Sequence, residues 1–433
     1  MNPQIRELYE IFKDSPIIST DSRHIPQDSI FFALKGENFN GNLFAIDALA
    51  QGAKVAVVDD PGIENVNGRI IKVDDALQAL QQLAIVHRQQ LKIPVIGITG
   101  SNGKTTSKEL IRSVLSEKFK TFATSGNLNN HIGVPLSILS ITNNTEIAII
   151  EMGANHQGEI AELCEISQPD FGIITNIGKA HLEGFGGLEG VIKAKTELYK
   201  YIKHHKGKLF VNADDPLLME KSSGLDGILY GTSKNNSLSG EVTGKFPFLS
   251  VDLNINGQVY QTESNLIGSY NFANIMAAAC IGKYFGVKPE LIKQGISSYK
   301  PENNRSQWLE TTNNKIILDA YNANPSSMKL ALENFAESPY ARKAMILGDM
   351  LELGDYAQTE HEFIVELAVN YDFEKIVLIG KNFKSFSSSY PICQSFEDVM
   401  SAKKELEKIN LKNYTILLKG SRGVKLEKLL EVL

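Results

Sequence analysis

The stretch that decides the fold is Val95-Ile96-Gly97-Ile98-Thr99-Gly100-Ser101-Asn102-Gly103-Lys104-Thr105-Thr106. It combines an apolar strand, a glycine-containing turn and the start of a helix. Glycines let backbone N–H groups approach an anion, and the helix N-terminus adds the positive end of its dipole. In phosphate loops the lysine supplies a point charge and the following threonine a Mg²⁺ ligand. The stretch therefore predicts a site for nucleotide phosphates.

This loop matches the shorter G-x-x-G-K-T pattern. The longer phosphate-loop pattern requires a glycine five residues before Gly103, where this chain has Ile98. A plain glycine-rich turn is the alternative interpretation. The order of strand, loop, Lys-Thr-Thr and helix favours the phosphate site.

Apolar strands alternate with helical patterns on both sides of this stretch, which predicts an α/β protein with mainly parallel sheets. A length of 433 residues corresponds to about three domains. We predict a small N-terminal α/β domain at residues 1–92, a central phosphate-loop ATPase domain at 93–299, and a C-terminal Rossmann-like α/β domain at 300–433. No G-x-G-x-x-G follows a strand of the third segment, so we expect no bound dinucleotide there.

Composition narrows the class of protein. The net charge of −6 argues against nucleic-acid binding through a broad basic face, and it requires any polyphosphate to be held by local cations and N–H groups. No apolar run approaches the ~20 residues of a membrane span, and the N-terminus lacks a signal-peptide pattern. Cys164, Cys280 and Cys393 lie more than a hundred residues apart. This spacing predicts neither a metal site nor a disulfide framework, which favours a reducing compartment. Together with the missing membrane span and signal pattern, it leads us to expect a soluble cytoplasmic protein.

Two candidate residues, Glu151 and His181, follow predicted strands of the central segment, where ligands of parallel sheets collect, and a third, Lys195, lies in a later helical pattern. Glu151, directly after Ile147–Ile150, is a candidate Mg²⁺ ligand, or else a helix cap or a solvated carboxylate. His181 is a candidate metal ligand or a polar residue satisfied by the protein, since Mg²⁺ prefers oxygen. Lys195, taken alone, has the pattern of a solvated helix lysine.

Further polar motifs lie later in the chain. Asn271 and Asn274 are three residues apart and share a helix face, from which carboxamides could pair with adenine. The alternative is ordinary N-capping by Asn271. The polar density of the Asp319–Ser326 loop exceeds what a turn requires, which favours a ligand there. Lys419–Gly423 carries two cations at a strand end, or forms a solvated loop.

Taken in order, these motifs resemble the Mur ligase family. The segments similar to its uridine-nucleotide domain are Thr20-Asp21-Ser22-Arg23, Phe32–Glu37 and Asn40-Gly41. Those similar to its ATPase domain are Gly100–Thr106, Gly126–Pro135, Glu151–Asn155 and Ala180–Glu183. Those similar to its third domain are Asp319–Pro325, Leu347–Gly354 and Lys419–Arg422. The resemblance covers nearly the whole chain.

The resemblance implies an ATP-dependent amide ligase that works through an acyl phosphate. Within the family, the Tyr321–Pro325 loop and the Gly126–His131 run favour the member that adds D-alanyl-D-alanine to UDP-N-acetylmuramoyl-tripeptide, giving the pentapeptide precursor of peptidoglycan. The Asp-Asn-Pro-Arg motif of the member that adds a single diamino acid is absent. Another amino-acid-adding ligase of the family, a phosphate-loop ATPase switch, and a uridine-nucleotide binding protein with a vestigial ATP site are the alternatives.

The resemblance also implies residue roles. ATP would contact Gly100, Ser101, Asn102, Gly103, Lys104, Thr105, Thr106, Asn271, Asn274, Arg305 and Asp319. Two Mg²⁺ ions would be held by Thr105, Glu151, His181 and Lys195, and the catalytic set would be Lys104, Glu151, His181 and Lys195. The substrates would contact Ser22, Arg23, Lys35, Asn127, Asn130, Tyr321, Asn322, Asn324, Lys419 and Arg422.

Lys195 matches the lysine that the family carries as an N-carbamate. An ammonium would repel Mg²⁺, whereas a carbamate supplies the anionic oxygens that Mg²⁺ favours. Tyr270 departs from the family pattern, in which histidine often precedes the asparagine; a tyrosine ring can still stack on adenine. We expect a monomer that takes the two peptide substrates as small molecules and inserts into no membrane.

Overall fold

The structure, a computed structural model, describes residues 3–302, 304–371, 373–409 and 411–433. It has three main β-sheets whose strands lie within residues 18–72, 95–263 and 307–419, which we call the first, middle and third units. The α/β class and the mainly parallel sheets are confirmed. The domain boundaries at 92/93 and 299/300 stay predictions. Within the described residues, no helix is both long and apolar enough to cross a bilayer.

The first unit is a four-stranded parallel sheet of order β1-β2-β5-β6, with a separate β3–β4 hairpin. Its strands are β1 (Ile18–Ser19), β2 (Ile30–Phe32), β3 (Lys35–Gly36), β4 (Phe39–Asn40), β5 (Val55–Val58) and β6 (Ile70–Lys72). Its helices are α1 (Pro3–Asp14), α2 (Ala45–Ala50) and α3 (Ala76–Gln90), with a 3₁₀ helix at Gly41–Phe44. Every residue of β2 and β5 is buried, as expected of parallel strands covered on both faces.

The middle unit is a nine-stranded sheet of order β15-β14-β13-β12-β11-β10-β7-β9-β8. Its strands are β7 (Val95–Thr99), β8 (Thr121–Ala123), β9 (Ile147–Glu151), β10 (Phe171–Ile174), β11 (Lys208–Asn212), β12 (Gly227–Gly231), β13 (Leu238–Gly244), β14 (Ser250–Ile255) and β15 (Gln258–Glu263). Its helices are α4 (Lys104–Ser116), α5 (Gly133–Leu139), α6 (Glu159–Ser167), α7 (Leu182–Phe185), α8 (Leu188–Lys195), α9 (Glu197–His204), α10 (Pro216–Lys221), α11 (Phe272–Tyr284) and α12 (Pro289–Ser298), with a 3₁₀ helix at Ser269–Asn271. β13, β14 and β15 form an antiparallel meander that the strand–helix alternation did not predict.

Strand β7 fixes where the middle unit can bind a ligand. It lies between β9 and β10 and is parallel to both. The carboxyl ends of the three strands therefore meet at one edge, where the chain order of the sheet reverses. Ligands of open α/β sheets bind at such a switch point. The loop after β7, Glu151 at the end of β9 and the segment after β10 all lie there.

The third unit is a six-stranded sheet of order β16-β17-β21-β18-β19-β20, in which β16 alone pairs antiparallel. Its strands are β16 (Gln307–Glu310), β17 (Lys315–Asp319), β18 (Lys343–Gly348), β19 (Lys375–Ile379), β20 (Gln394–Phe396) and β21 (Thr415–Lys419). Its helices are α13 (Pro325–Ala336), α14 (Ala357–Val369), α15 (Lys381–Lys384) and α16 (Val399–Ile409), with 3₁₀ helices at Gly354–Tyr356, Arg422–Val424 and Leu426–Glu431. The register pairs Asp319 with Lys419, so two candidate residues a hundred positions apart share one edge.

Helix α4, which begins at the loop after β7, is held by its apolar face. Leu110, Ile111, Val114 and Leu115 are fully buried, as the sequence pattern predicts. The face packs against α11 and α12. At Gly295 a side chain would come within 2.7 Å of the Val114 Cα, so this glycine permits the close approach of α12.

Arg88 of α3 joins the first unit to the middle one. It is buried, and it donates to the Ser167 and Gln168 carbonyls at 2.9 and 2.8 Å. Its guanidinium also lies 3.0 Å from the Asp170 carboxylate. Buried charges are stable when they are paired and hydrogen-bonded in this way. The contact fixes α3 against the C-terminal end of α6.

Candidate active site

The loop at residues 100–106, which we call the phosphate loop, is shaped by two glycines with positive φ. Gly100 has φ 145°, and a Cβ there would lie 2.0 Å from Thr175 Oγ1. Gly103 has φ 76° and immediately precedes α4. The Ser101 backbone N–H donates to the Asn176 carbonyl at 3.0 Å, which ties the loop to the segment after β10. The result is a glycine turn that opens onto a helix N-terminus, the arrangement that suits an anion.

Lys104 lies at the base of this turn. Its ammonium donates to the Gly100 carbonyl at 2.7 Å. Burial lowers the pKa of Lys104, the Glu151 carboxylate raises it, and Arg305 lowers it further. No carboxylate of the residues that the structure describes forms an ion pair with Lys104. A desolvated cation of this kind is stabilised by an anionic ligand.

Glu151 is a buried carboxylate, 2% exposed, whose partners are side chains. It accepts hydrogen bonds from Thr105 Oγ1 at 3.0 Å and from Asn129 Nδ2 at 2.8 Å, and Lys108 Nζ lies 3.8 Å away. The interpretations of Glu151 as a solvated carboxylate or as a helix cap are therefore wrong. Its contact with Thr105 joins two of the proposed metal ligands.

Sequence reasoning missed Lys108 and Asn129. Lys108 is fully buried, and its position four residues after Lys104 puts both lysines on one face of α4, a spacing that could have indicated it. Asn129 lies in the Gly126–His131 run, where the prediction named only Asn127 and Asn130. Asn130 instead accepts from the Gly133 N–H at 2.8 Å and so holds the start of α5.

Lys195 is 1% exposed, so the interpretation of this residue as a solvated helix lysine is wrong. Its ammonium lies 5.1 Å from the centroid of the Phe185 ring, and no carboxylate in the described residues forms an ion pair with it. Burial, and then the charge of Lys104, lower the pKa of Lys195 well below its usual range. A lysine in this setting favours its neutral form, the form that can react with carbon dioxide.

His181 lies where the middle and third units meet. It has φ 50°, and its Nδ1 lies 2.5 Å from Glu352 Oε2 without hydrogen-bond alignment. The interaction with His181 lowers the pKa of Glu352, against the effect of burial. Lys179 pairs with Glu360 across the same boundary at 2.5 Å. Sequence reasoning missed Glu352, although it lies in the quoted Leu347–Gly354 segment.

Within the described residues, no group of three or more His, Cys, Asp or Glu side chains could hold a metal ion by itself. Glu151 and the Thr105 hydroxyl nevertheless offer the oxygen donors that Mg²⁺ uses. Mg²⁺ commonly takes one or two protein oxygens and completes its shell with water and substrate phosphates. The donor set therefore fits an ion that arrives with a nucleotide.

The asparagine pair bonds mainly within the protein. Asn274 Nδ2 donates to Asn271 Oδ1 at 2.7 Å, Asn274 Oδ1 accepts from Ser107 Oγ at 2.8 Å, and Asn271 Nδ2 donates to the Ile267 carbonyl at 2.8 Å. Asn271 forms no side-chain cap, so the N-capping interpretation is wrong. Both amides line the cavity beside the phosphate loop, and one N–H of each donates no hydrogen bond within the described residues. Tyr270 is joined to Ser306 at 3.2 Å.

The third unit contributes cations. Lys419 is 2% exposed and donates to Asp319 Oδ2 at 2.6 Å, so the solvated-loop interpretation is wrong for it. Arg422 is exposed. Arg305 lies 3.6 Å and Arg422 5.5 Å from the centroid of the Tyr321 ring, measured from each guanidinium carbon. The two arginines thus share one aromatic residue.

One cavity of about 660 Å³ brings most of the predicted residues together. Those that line it are Ser101, Asn102, Gly103, Lys104, Thr105, Thr106, Asn127, Asn130, Glu151, His181, Asn271, Asn274, Arg305, Asp319, Tyr321, Asn322, Lys419 and Arg422. Gly100, Lys195 and Asn324 are not among its lining residues. Ser22, Arg23 and Lys35 belong to the first unit and do not line it; Arg23 pairs with Asp21 and Lys35 with Asp59.

Family models match the chain in three consecutive parts. They are described as Mur ligase family, catalytic domain, at residues 16–88; Mur ligase middle domain, at 98–282; and Mur ligase, glutamate ligase domain, at 304–422.

Relatives span nearly the full chain. UDP-N-acetylmuramoyl-tripeptide--D-alanyl-D-alanine ligase of Bacillus subtilis (strain 168) is 38% identical, over 96% of this chain and 92% of the relative. The enzyme of the same name from Escherichia coli (strain K12) is 33% identical, over 96% and 93%. A crystal structure of MurF from Acinetobacter baumannii is similar with a TM-score of 0.88 and 30% identity, covering 99% of this chain and 97% of that one. MurF ligase from Thermotoga maritima in complex with ADP has a TM-score of 0.84 and 26% identity, covering 100% and 98%.

Asn324 offers a test of how the third unit supports the phosphate loop. Its Oδ1 accepts from Ser327 N–H and caps α13, while its Nδ2 donates to Asn102 Oδ1 at 2.8 Å. Asn324→Ala removes both bonds, and loss of a cap costs about 1 kcal/mol. Asn324→Asp keeps the cap and loses only the donor to Asn102. We expect a lower thermal unfolding midpoint for Asn324→Ala than for Asn324→Asp, and a KM for ATP about fivefold higher in both. If the KM for ATP is unchanged in both variants, Asn324 does not support the phosphate loop.

Proposed function

This chain belongs to the Mur ligase family, and from that premise we propose that it is the ATP-dependent ligase that adds D-alanyl-D-alanine to UDP-N-acetylmuramoyl-tripeptide. The observation that carries the proposal is the cavity of about 660 Å³ in which the phosphate loop of the middle unit lies opposite Arg305, Lys419 and Arg422. Such a cavity can hold a triphosphate beside a second anion. An amide ligase needs both, because ATP must meet a carboxylate.

The reaction forms an amide from a carboxylate, which resists attack by an amine because its charge is delocalised and its leaving group is poor. Transfer of the γ-phosphoryl group to the tripeptide's terminal carboxylate gives an acyl phosphate and ADP. The neutral amine of D-alanyl-D-alanine attacks the acyl carbon, one amine proton passes to solvent, and phosphate leaves the tetrahedral intermediate as the amide forms. The protein's contribution is positioning and neutralisation of charge.

The residues of the middle unit would divide this work. The phosphate-loop N–H groups and Lys104 would hold the triphosphate, and Asn271 and Asn274 would contact adenine. Arg305 and Asp319 would contact the phosphate or ribose end of ATP. Thr105, Glu151 and His181 would hold Mg²⁺, which when bound offsets the charge of the phosphates. The support is the contact of Thr105 with Glu151 and the cavity that these residues share.

Lys195 would serve as an N-carbamate. Its burial without an ionic partner is costly for an ammonium, which supports the modified form. The new bond joins the neutral amine nitrogen to carbon dioxide, and the amine proton leaves to solvent. The resulting carbamate oxygens would complete a second Mg²⁺ site with His181. The buried position of Lys195 would then serve metal binding, a role that a solvated lysine would not have.

The remaining substrate contacts would come from the outer units. Ser22, Arg23 and Lys35 would bind the uridine nucleotide of the first substrate. Tyr321, Asn322, Asn324, Lys419 and Arg422 would serve the dipeptide, with Asn127 and Asn130 at the boundary. We propose that the enzyme acts in the cytoplasm as a monomer.

Omission of each substrate in turn tests the function. With ATP, Mg²⁺, UDP-N-acetylmuramoyl-tripeptide and D-alanyl-D-alanine together, we expect ADP release and a nucleotide-linked pentapeptide. Omission of either peptide partner should reduce ADP release to a small fraction, because the acyl phosphate then cannot form or cannot react onward. ADP assays with mass spectrometry of the nucleotide product provide the measurement.

Each alternative predicts a different pattern. ADP release at full rate without the peptides would indicate an ATPase switch. Product formed with a single amino acid but not with the dipeptide would indicate another ligase of the family. Nucleotide binding with no product at all would indicate a binding protein.

Lys195 can be tested against a neighbour on the same helix. After incubation with ¹³C-bicarbonate we expect a carbamate resonance in the wild type that is absent from Lys195→Met. Lys193, which is exposed on α8, supplies the control, and Lys193→Met should keep the resonance. We expect kcat to fall about 100-fold or more in Lys195→Met, since a group that neutralises developing charge is lost. A wild-type protein that turns over without the resonance would contradict the carbamate.

A further inference from the structure

The Tyr321 ring and its two arginines form an arrangement whose role the proposed function leaves open. The Arg305 guanidinium carbon lies 3.6 Å from the ring centroid, and that of Arg422 lies 5.5 Å away. Attraction to the ring quadrupole stabilises each cation. A shared ring can thus hold two like charges close together, where they would otherwise repel each other.

We propose that Tyr321 is a positioning residue that holds Arg422 to bind the terminal carboxylate of the incoming dipeptide, and so selects a free carboxylate at that end. This inference rests on the proposed function and deepens it. Arg305 keeps its role toward the nucleotide.

A second cavity supports this assignment. It has a volume of about 1110 Å³ and lies beside the first. Five residues line both cavities: Thr105, Asn127, Arg305, Tyr321 and Arg422. The stacked side chains are therefore part of the boundary between the two spaces. A ligand in the second cavity can therefore contact Arg422, Tyr321 and Thr105 of the phosphate loop together.

Of the two cations at the end of β21, Lys419 and Arg422, Arg422 is the one that remains available to a small anion. Lys419 is held by Asp319 at 2.6 Å, and it is buried. Arg422 is exposed, and no carboxylate in the described residues forms an ion pair with it. A guanidinium can bind a carboxylate through two parallel hydrogen bonds, which favours it for a chain terminus over a lysine.

The two arginines are connected to different parts of the site. Arg305 precedes Ser306, which contacts Tyr270 beside the asparagine pair at 3.2 Å. Arg422 follows Ser421, whose N–H donates to the Asp349 carbonyl at 3.2 Å and whose Oγ accepts from the Leu351 N–H at 3.1 Å. The turn that carries Arg422 is thus fixed to the loop that carries Glu352. Arg305 belongs to the nucleotide side, and Arg422 to the side where the third unit meets His181.

This arrangement gives the dipeptide a direction. With its carboxylate at Arg422, the opposite end can point into the first cavity, where the Glu352 carboxylate and His181 lie 2.5 Å apart. The amine must enter that cavity to reach an acyl phosphate formed at the phosphate loop. A dipeptide without the terminal charge loses the contact that sets this orientation.

The test compares D-alanyl-D-alanine with its C-terminal amide in wild type and variants. We expect the wild type to prefer the free carboxylate by about 10- to 100-fold in kcat/KM, the range of a charge-assisted contact. Arg422→Gln should reduce that preference to near unity while the KM for ATP stays within about twofold. Lys428→Gln, which removes another exposed cation of the same segment, should keep the wild-type preference.

Tyr321 variants separate positioning from general damage. Tyr321→Phe keeps the ring face and should retain the preference. Tyr321→Leu should raise the KM for the dipeptide more than it lowers kcat, and should lose most of the preference. Thermal unfolding of each variant verifies that it is folded.

The outcomes distinguish the two proposals. A wild type that joins neither dipeptide overturns the proposed function, and this inference with it. A wild type that ligates while Arg422→Gln keeps the full preference for the carboxylate overturns the inference alone. The same holds if Arg422→Gln raises only the KM for ATP, or if Tyr321→Phe behaves like Tyr321→Leu.

Discussion

The constraint on which the rest of the structure depends is charge. A chain with a net charge of −6 has to hold a triphosphate next to a carboxylate, two anions that repel each other. At physiological ionic strength, dissolved salt screens attraction beyond about 8 Å, so the compensation must be local. The phosphate loop, with Lys104 and the start of α4, supplies it from the middle unit. Arg305 and Arg422 supply it from the third, where Lys419 is paired with Asp319.

Sheet topology brings these local charges together. β7 lies between two parallel neighbours, so the phosphate loop and Glu151 lie at one edge. In the third sheet, the pairing of β17 with β21 does the same for Asp319 and Lys419. Neither sheet forms the site alone. The contacts of Asn324 with Asn102 and of Glu352 with His181 join the two edges into one cavity.

The local parts of this account could be predicted from the sequence. Strand β7, the glycine turn and the buried face of α4 follow from short-range pattern, and Glu151 lies at the end of its strand, as the pattern predicts. Contacts between distant residues could not be predicted in this way. The burial of Lys195 depends on packing against Phe185, and the side-chain bonds of Asn271 run to Ile267 and Asn274 rather than to a helix cap. The antiparallel meander β13–β15 does not follow from strand–helix alternation, which predicts only parallel neighbours.

The central claim is that the chain activates a peptide carboxylate by phosphorylating it. UDP-N-acetylmuramoyl-tripeptide labelled with ¹⁸O in its terminal carboxylate tests this most directly. An acyl phosphate transfers one carboxylate oxygen to the released phosphate, so we predict one ¹⁸O atom in inorganic phosphate for each amide formed. Amide formation accompanied by unlabelled phosphate would contradict the account.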